Sequence, residues 1–305
     1  MPTPSHVAET IPVDVIATAV MQQVQSPWRL MVRRFLRHRL AVFGLVMIAV
    51  LTLLTLFAPV IAPHDPLDIN ILEKFTPPFH DGLVLGGDEV GRDLFSRLIY
   101  AGRISLVVGA CAMLVTITVG AVIGLVSGYY GGNVDAIMMR FTDALLCFPT
   151  VFLLLILASF IGASVLSVTL IIGLTSWMEL ARIVRNQTLS LKEREFVLSA
   201  QALGASNNRI VFRHLLPNSL APILVAATLN VANAVLAESY ISYLGYGIQP
   251  PAASWGNMLN NAQSFFHDAP WIAFFPGIFI ALTVASFNFV GDGLRDALDP
   301  RMVQK

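Results

Sequence analysis

Charge is what this sequence has least of. Only 12% of its 305 residues are Asp, Glu, Lys or Arg, where an ordinary soluble domain has about 25%. So few charges cannot clothe a soluble protein of this length, and a hydrophobic content of 56% excludes a disordered chain. Lys+Arg and Asp+Glu balance at 19 each, so there is no global basic field to attract nucleic acid. Cysteine is scarce as well. Cys111 and Cys147 are too few for a disulfide framework or a zinc site, and each is expected as a small buried hydrophobe in an apolar run. The histidines are scattered without metal-ligand spacing. Also missing are a phosphate-binding G-x-x-x-x-G-K-[ST] loop, an H-E-x-x-H helix and a G-x-S-x-G elbow. The expectation is a non-catalytic chain with no metal and no cofactor of its own.

What the sequence has instead is long apolar runs, with a mean hydropathy of +0.72. A spanning helix needs about 20 apolar residues, because it rises about 1.5 Å per residue through about 30 Å of hydrocarbon. Windows free of Asp, Glu, Lys, Arg and His predict an all-α chain with six spans, at 41–61, 104–127, 146–161, 165–184, 215–237 and 269–291. Gly162-Ala163-Ser164 divides the third from the fourth, and Pro149 is tolerated near a helix start. Residues 239–266 are uncharged too, but their Gly, Pro, Asn, Gln and Ser content reads as loop.

Six spans put both termini on one side, and Lys and Arg are held in the cytoplasm. With the N-terminus inside, 15 basic residues fall on inner segments and 4 on outer ones, namely Lys74, Arg92, Arg97 and Arg103. The long outer loop carries seven acids. The expected organisation is therefore a flexible cytoplasmic tail over 1–27, an interfacial amphipathic helix over 28–39 and a transmembrane domain over 40–305. Within that domain, outer loops lie at 62–103 and 242–268, and a cytoplasmic loop lies at 186–218. No basic n-region followed by an apolar core marks residues 1–26 as a cleavable signal.

Intramembrane charge is nearly absent. Glu179 and Glu238 are expected near the ends of spans four and five, so no ionisable relay of the kind used by ion-coupled carriers is evident. Glu238 and Trp255 are weak candidates for an outer gate or a substrate-facing surface. Gly120, Gly124 and Gly128 recur every four residues on one face of span two. That stripe permits close backbone packing, either inside the bundle or against a second membrane subunit.

The most informative segment is the loop at 186–218, which is too well patterned for a connector. Glu193–Leu203 holds good helix formers with Phe196, Ala200 and Leu203 on one face, and Gly204 follows where a left-handed helix cap is expected. A second short helix is predicted from Asn207 to His214, stopped by Pro217. Two short helices with an apolar face and basic flanks suit a docking surface for a cytoplasmic partner. The candidate residues of that surface, to which the resemblance below assigns ATPase coupling, are Glu195, Phe196, Ala200, Leu203, Gly204, Arg209, Arg213, His214, Leu216 and Pro217.

The run Phe196–Gly204 followed by Arg213-His214-Leu215-Leu216-Pro217-Asn218 resembles the EAA loop of ABC-importer membrane subunits, whose pattern is E-A-A-x-x-x-G and then I-x-L-P. Ala200, Gly204, Leu216 and Pro217 match, while Leu198, Ser199 and His214 stand where Glu, Ala and Ile are expected. Other stretches resemble the "C" permease of the dipeptide, oligopeptide and nickel importers. They include Gly91-Arg92-Asp93-Leu94-Phe95-Ser96-Arg97, Gly128-Tyr129-Tyr130-Gly131-Gly132, Gln249-Pro250-Pro251 with Ser254-Trp255-Gly256, and Gly291-Asp292-Gly293-Leu294-Arg295-Asp296. The resemblance covers about 28–301 and leans to the oligopeptide kind.

The resemblance implies the type I ABC-importer permease fold in a bacterial cytoplasmic (inner) membrane. It implies a second homologous permease subunit, two cytoplasmic ATPase subunits or domains that bind ATP and Mg, and an extracytoplasmic substrate-binding protein, all amid membrane lipid. This chain would form half of the pathway for peptides, and the EAA loop would transmit motion from an ATPase. The two outer loops, with Trp255, would face the binding protein. The same architecture serves importers of nickel chelates, glutathione or other small solutes. A stand-alone secondary carrier is the remote alternative.

Overall fold

The computed structural model describes residues 27–260 and 262–298. The tail expected over 1–27 falls almost wholly outside them. Among the described residues the chain is helical, with no strand longer than an isolated bridge.

Helix α1 (Pro27–Arg37) occupies the segment expected to be amphipathic. His38 separates it from α2 (Arg39–Leu56), accepting from the Ala41 N–H through Nδ1 at 3.1 Å. One further turn, Ala58–Ile61, completes the first span. Most of α2 is bare in this chain, with Phe43, Val46, Val50 and Leu53 exposed, as suits a helix facing lipid. Its contact with the bundle runs through Gly44, where a Cβ would lie 2.5 Å from the Ser286 carbonyl.

The second span is α3 (Leu94–Tyr130), which starts ten residues before the expected 104. The window rule ended at Arg103 and Arg97, yet both charges are satisfied at the helix mouth. Arg97 meets Asp88 at 2.9 Å, and Arg103 donates to the Thr55 and Leu56 carbonyls at 2.7 Å each. Asp93 caps the helix, accepting from the N–H groups of Phe95 and Ser96. A helix of this length spans about 55 Å, more than the hydrocarbon needs.

The third span departs most from expectation. In place of one helix over 146–161 there are two, α4 (Gly132–Leu146) and α5 (Thr150–Ile161), bent by 86°. Pro149 explains the break, because it has no N–H to give and forces Phe148 away from helix. Among the described residues five helices are long and apolar enough to cross a membrane alone, and there are six if the bent pair counts as one span.

The fourth span is α6 (Val165–Lys192), eight residues longer than expected. Ser164 and Ser167 form a capping box at its start. Its charged extension is again paired. Arg185 holds Asp135 of α4 with two bonds of 2.5 Å, Arg182 pairs with Asp143, and Lys192 donates to the Tyr129 carbonyl at 2.7 Å. This lengthening places Glu179 near the middle of the helix rather than at its end.

The Gly120, Gly124 and Gly128 stripe packs inside the chain, against α6. A Cβ on these glycines would approach the Trp177, Ala181 and Arg185 carbonyls to 2.9, 2.6 and 2.9 Å. Apolar surface gains nothing by leaving lipid for protein, so close backbone approach at small residues is what holds such a pair together.

The cysteine expectation fails, since Cys111 and Cys147 are both exposed in this chain. An apolar run in a membrane bundle has a bare outer face, so hydrophobic context does not imply burial as it does in water.

Candidate functional site

After α6 come the two short helices of the patterned loop. The first is α7 (Glu195–Ala202), slightly shorter than the expected 193–203. Leu203 is its C-cap residue and Gly204, next in the chain, takes φ +78°, the left-handed conformation expected there. Gly204 N–H bonds to the Gln201 carbonyl at 2.9 Å and Ala205 N–H to the Ala200 carbonyl at 3.0 Å. These two bonds are a Schellman closure. The matched residues Ala200 and Gly204 therefore fix the turn through backbone geometry.

The second helix, α8 (Asn207–Ile210), does not stop at Pro217. It runs through a π-helical turn at Val211–Leu215 and a turn at Leu216–Asn218 into α9 (Leu220–Tyr243), the fifth span. The π-turn lets Leu216 N–H reach back five residues to the Val211 carbonyl. Pro217 then enters at the first turn of a new helical segment, where its missing N–H costs little.

The loop has two faces. Val197, Ile210 and Leu215 are buried and pack with Leu125, Tyr129, Leu180 and Val184 at the ends of α3 and α6. Tyr129 also donates its hydroxyl to the Asn207 side-chain oxygen at 2.8 Å. On the outer face Phe196, Leu198, Leu203 and Phe212 are 42, 50, 88 and 65% exposed. Glu195, Arg209, Arg213 and Pro217 are exposed beside them, while Ala200, His214 and Leu216 are half-buried. The His214 ring lies 6.4 Å from that of Phe196. Leu198 and Phe212 join this surface although the sequence pattern did not single them out. Leu198 occupies the place of the motif's glutamate, so the surface is more apolar than the motif implies.

At the other end of α9, Glu238 and Trp255 have no exposed surface. Glu238 accepts from the Ser105 hydroxyl at 2.9 Å and the Ser242 hydroxyl at 2.7 Å. Trp255 opens a short helix, α10 (Trp255–Met258), within the segment expected as a loop. Its backbone N–H donates to Ser105 Oγ at 3.1 Å and its indole N–H to the Leu98 carbonyl at 3.0 Å. A clasp of Glu238, Ser105 and Trp255 thus ties α3, α9 and the segment after α9 together. Placement favours this internal clasp over a gate or substrate-facing surface, and Trp255 is not available to a docking protein. Ser105, the residue that joins the other two, is not among the candidate site residues the sequence pattern marks.

The long loop between the first two spans is folded, not slack. Asp88, 2% exposed, accepts from the backbone of Val90 and Arg92 and from the side chains of Arg92 and Arg97. Burial, and then the Asp88 charge beside it, raise the Glu89 carboxyl above its ordinary value despite the 3.0 Å Arg92 contact. The last span is α11 (Trp271–Leu298). No cluster of three or more His, Cys, Asp or Glu with metal-binding geometry occurs among the described residues.

These features define a polytopic membrane protein that carries, among its described residues, an apolar-faced two-helix loop clamped to the bundle. The comparisons give its family. Residues 120–304 match the binding-protein-dependent transport system inner membrane component family, and residues 26–78 match the N-terminal TM domain of oligopeptide transport permease C. The chain is 42% identical over 279 residues to the oligopeptide transport system permease protein OppC of Escherichia coli K12, covering 91% of this chain and 92% of that one. It is 38% identical over 286 residues to OppC of Bacillus subtilis, covering 94% and 93%. To the dipeptide transport system permease protein DppC of Alkalihalophilus pseudofirmus it is 39% identical over 277 residues, covering 91% of each. The chain belongs to the inner-membrane permeases of binding-protein-dependent ABC transport systems.

Proposed function

We propose that this chain is one of two similar permease subunits of an ATP-driven importer, forming half of the pathway for oligopeptides or dipeptides. An extracytoplasmic protein delivers the peptide, and two cytoplasmic ATPase subunits or domains bind ATP and Mg. The observation that carries this reading is the loop over 193–218, clamped to the bundle on one face and bare and apolar on the other. A solvated connector has no use for four exposed apolar side chains. A lever seated in a groove of a partner ATPase does, and it must be rigid to transmit a state change. The names of the relatives, oligopeptide and dipeptide permeases, support the substrate class. Reconstituted with its partners, the complex is expected to take up labelled peptide only with ATP and loaded binding protein. This chain purified alone is expected to hydrolyse no ATP. ATPase activity surviving removal of every partner would overturn the division of labour.

The orientation follows from the 15-to-4 bias of basic residues, with both termini cytoplasmic and α1 lying along the inner interface, its arginines toward headgroups. Asp81 and Asn208 are both exposed. In a background lacking Cys111 and Cys147, Asp81→Cys is expected to label with an impermeant thiol reagent on intact cells, and Asn208→Cys only after lysis. The reverse pattern would invert the topology.

A further inference from the structure

Between the α4–α5 bend, α6 and α9 lies a cleft of about 290 Å³. Its polar lining includes Thr150, Ser176, Glu179, Asn230, Asn233 and Tyr240, and Glu179 is its one charged residue. Glu179 and Asn233 are exposed, and neither side chain makes a hydrogen bond or ion pair among the described residues. Both sit deep in their helices. Glu179 is fourteen residues into α6 and Asn233 thirteen into α9, each about 20 Å from the helix start. Asn230, Asn233 and Tyr240 recur at helical spacing, so they form one stripe of α9 facing one stripe of α6.

A bare carboxylate and an open carboxamide at this depth are costly against acyl chains, and such residues face water-filled cavities or polar partners. The other carboxylate within these two spans, Glu238, is buried and accepts two hydroxyl hydrogen bonds within the chain. Glu179 differs in having nothing among the described residues to neutralise it. A lone negative charge on a polar, amide-lined wall complements a cation that carries peptide groups.

We propose that this cleft is the chain's wall of the translocation pathway, and that Glu179 there receives the cationic groups of a passing peptide, its α-ammonium or a Lys or Arg side chain. The inference rests on the peptide-permease reading above. Asn230 and Asn233 offer amide hydrogen bonds that suit a peptide backbone whatever its side chains. Thus the pathway is not featureless: it carries one charge preference on an otherwise tolerant wall.

Two measurements on the assembled complex in proteoliposomes test this, with Cys111 and Cys147 replaced by Ser. First, Asn233→Cys is expected to react faster with a cationic than with an anionic methanethiosulfonate, and Glu179→Gln to remove that preference. A cysteine unreactive in every nucleotide state, or a preference unchanged by E179Q, overturns the assignment. Second, uptake of two equal-length peptides, one with Lys and one with Glu at the same position, is measured at saturating loaded binding protein. E179Q is expected to lower the Lys-to-Glu uptake ratio about tenfold, the scale of one partly desolvated charge contact, with Glu179→Lys inverting it. Equal loss for both peptides, or loss of the assembled complex, would make Glu179 a contact with the second permease subunit and overturn the proposal. If neither peptide is carried by the wild type while the first measurement behaves as expected, the peptide reading fails and the cation-attracting cleft stands.

Discussion

Gly124→Val is expected to remove most of the folded protein from the membrane. Gly124 lies at the centre of the α3–α6 contact, where a Cβ would come within 2.6 Å of the Ala181 carbonyl, 2.7 Å of Val184 Cβ and 3.0 Å of the Arg185 amide. Two of these atoms are backbone, so no side chain can swing aside, and the helices must separate. Overpacking a tight core costs about 1–3 kcal/mol. Here the loss is greater, because separation also forfeits the approach at Gly120 and Gly128 and strains the Arg185–Asp135 pair. Since lipid gives no hydrophobic force to push the helices back together, nothing offsets the lost contact. The measurement is the yield of monodisperse protein in detergent and its thermal unfolding midpoint. Gly277→Val is the control, because a Cβ there meets nothing within 4 Å. Wild-type yield and midpoint for Gly124→Val would show that the stripe is not what holds the two helices together.

Gly204→Val is expected to leave the complex assembled while uncoupling ATP hydrolysis from uptake. No atom lies within 4 Å of a Cβ at this position, so the substitution is strained by conformation and not by crowding. At φ +78° a residue with a Cβ costs about 1–2 kcal/mol, and a β-branched one more. That is too little to prevent insertion of the spans. It is comparable to the coupling energies of about 1–3 kcal/mol that link distant sites. Relief of the strain would open the Schellman closure and re-aim α8, carrying Arg209, Phe212 and Arg213 away from their positions relative to Phe196 and Leu203. Val197, Ile210 and Leu215 would still anchor the loop, so docking weakens less than transmission. Uptake and ATPase rates in proteoliposomes, with subunit stoichiometry checked by gel, separate the outcomes. Unchanged uptake would refute the lever. Loss of stoichiometric assembly would make Gly204 a docking determinant.

Much of this molecule is determined by local sequence. The apolar runs produce helices wherever they occur, because a backbone in lipid has to bond to itself. The turn at Gly204 is equally local, since only glycine takes that conformation cheaply. The resemblance of 196–218 to a known loop therefore translated directly into geometry.

What tertiary structure decided is where charge and polarity are tolerated. The start of α3 at Leu94 depends on Arg97 finding Asp88 and Arg103 finding the carbonyls of α2, and the end of α6 on Asp135, Asp143 and Tyr129. A window of residues sees an arginine and stops, because its partner is not in the window. Glu238 and Trp255 looked like surface for the same reason. The serine that binds both lies 133 residues from one and 150 from the other. The glycine stripe had two possible partners in sequence and has one in space, because α6 offers its backbone at the matching positions. Glu179 shows the converse. The sequence reading places it near the end of span four. The longer α6 and the bent α4–α5 pair put it on an open polar wall, since only the packing of helices decides which side chains are left without a partner.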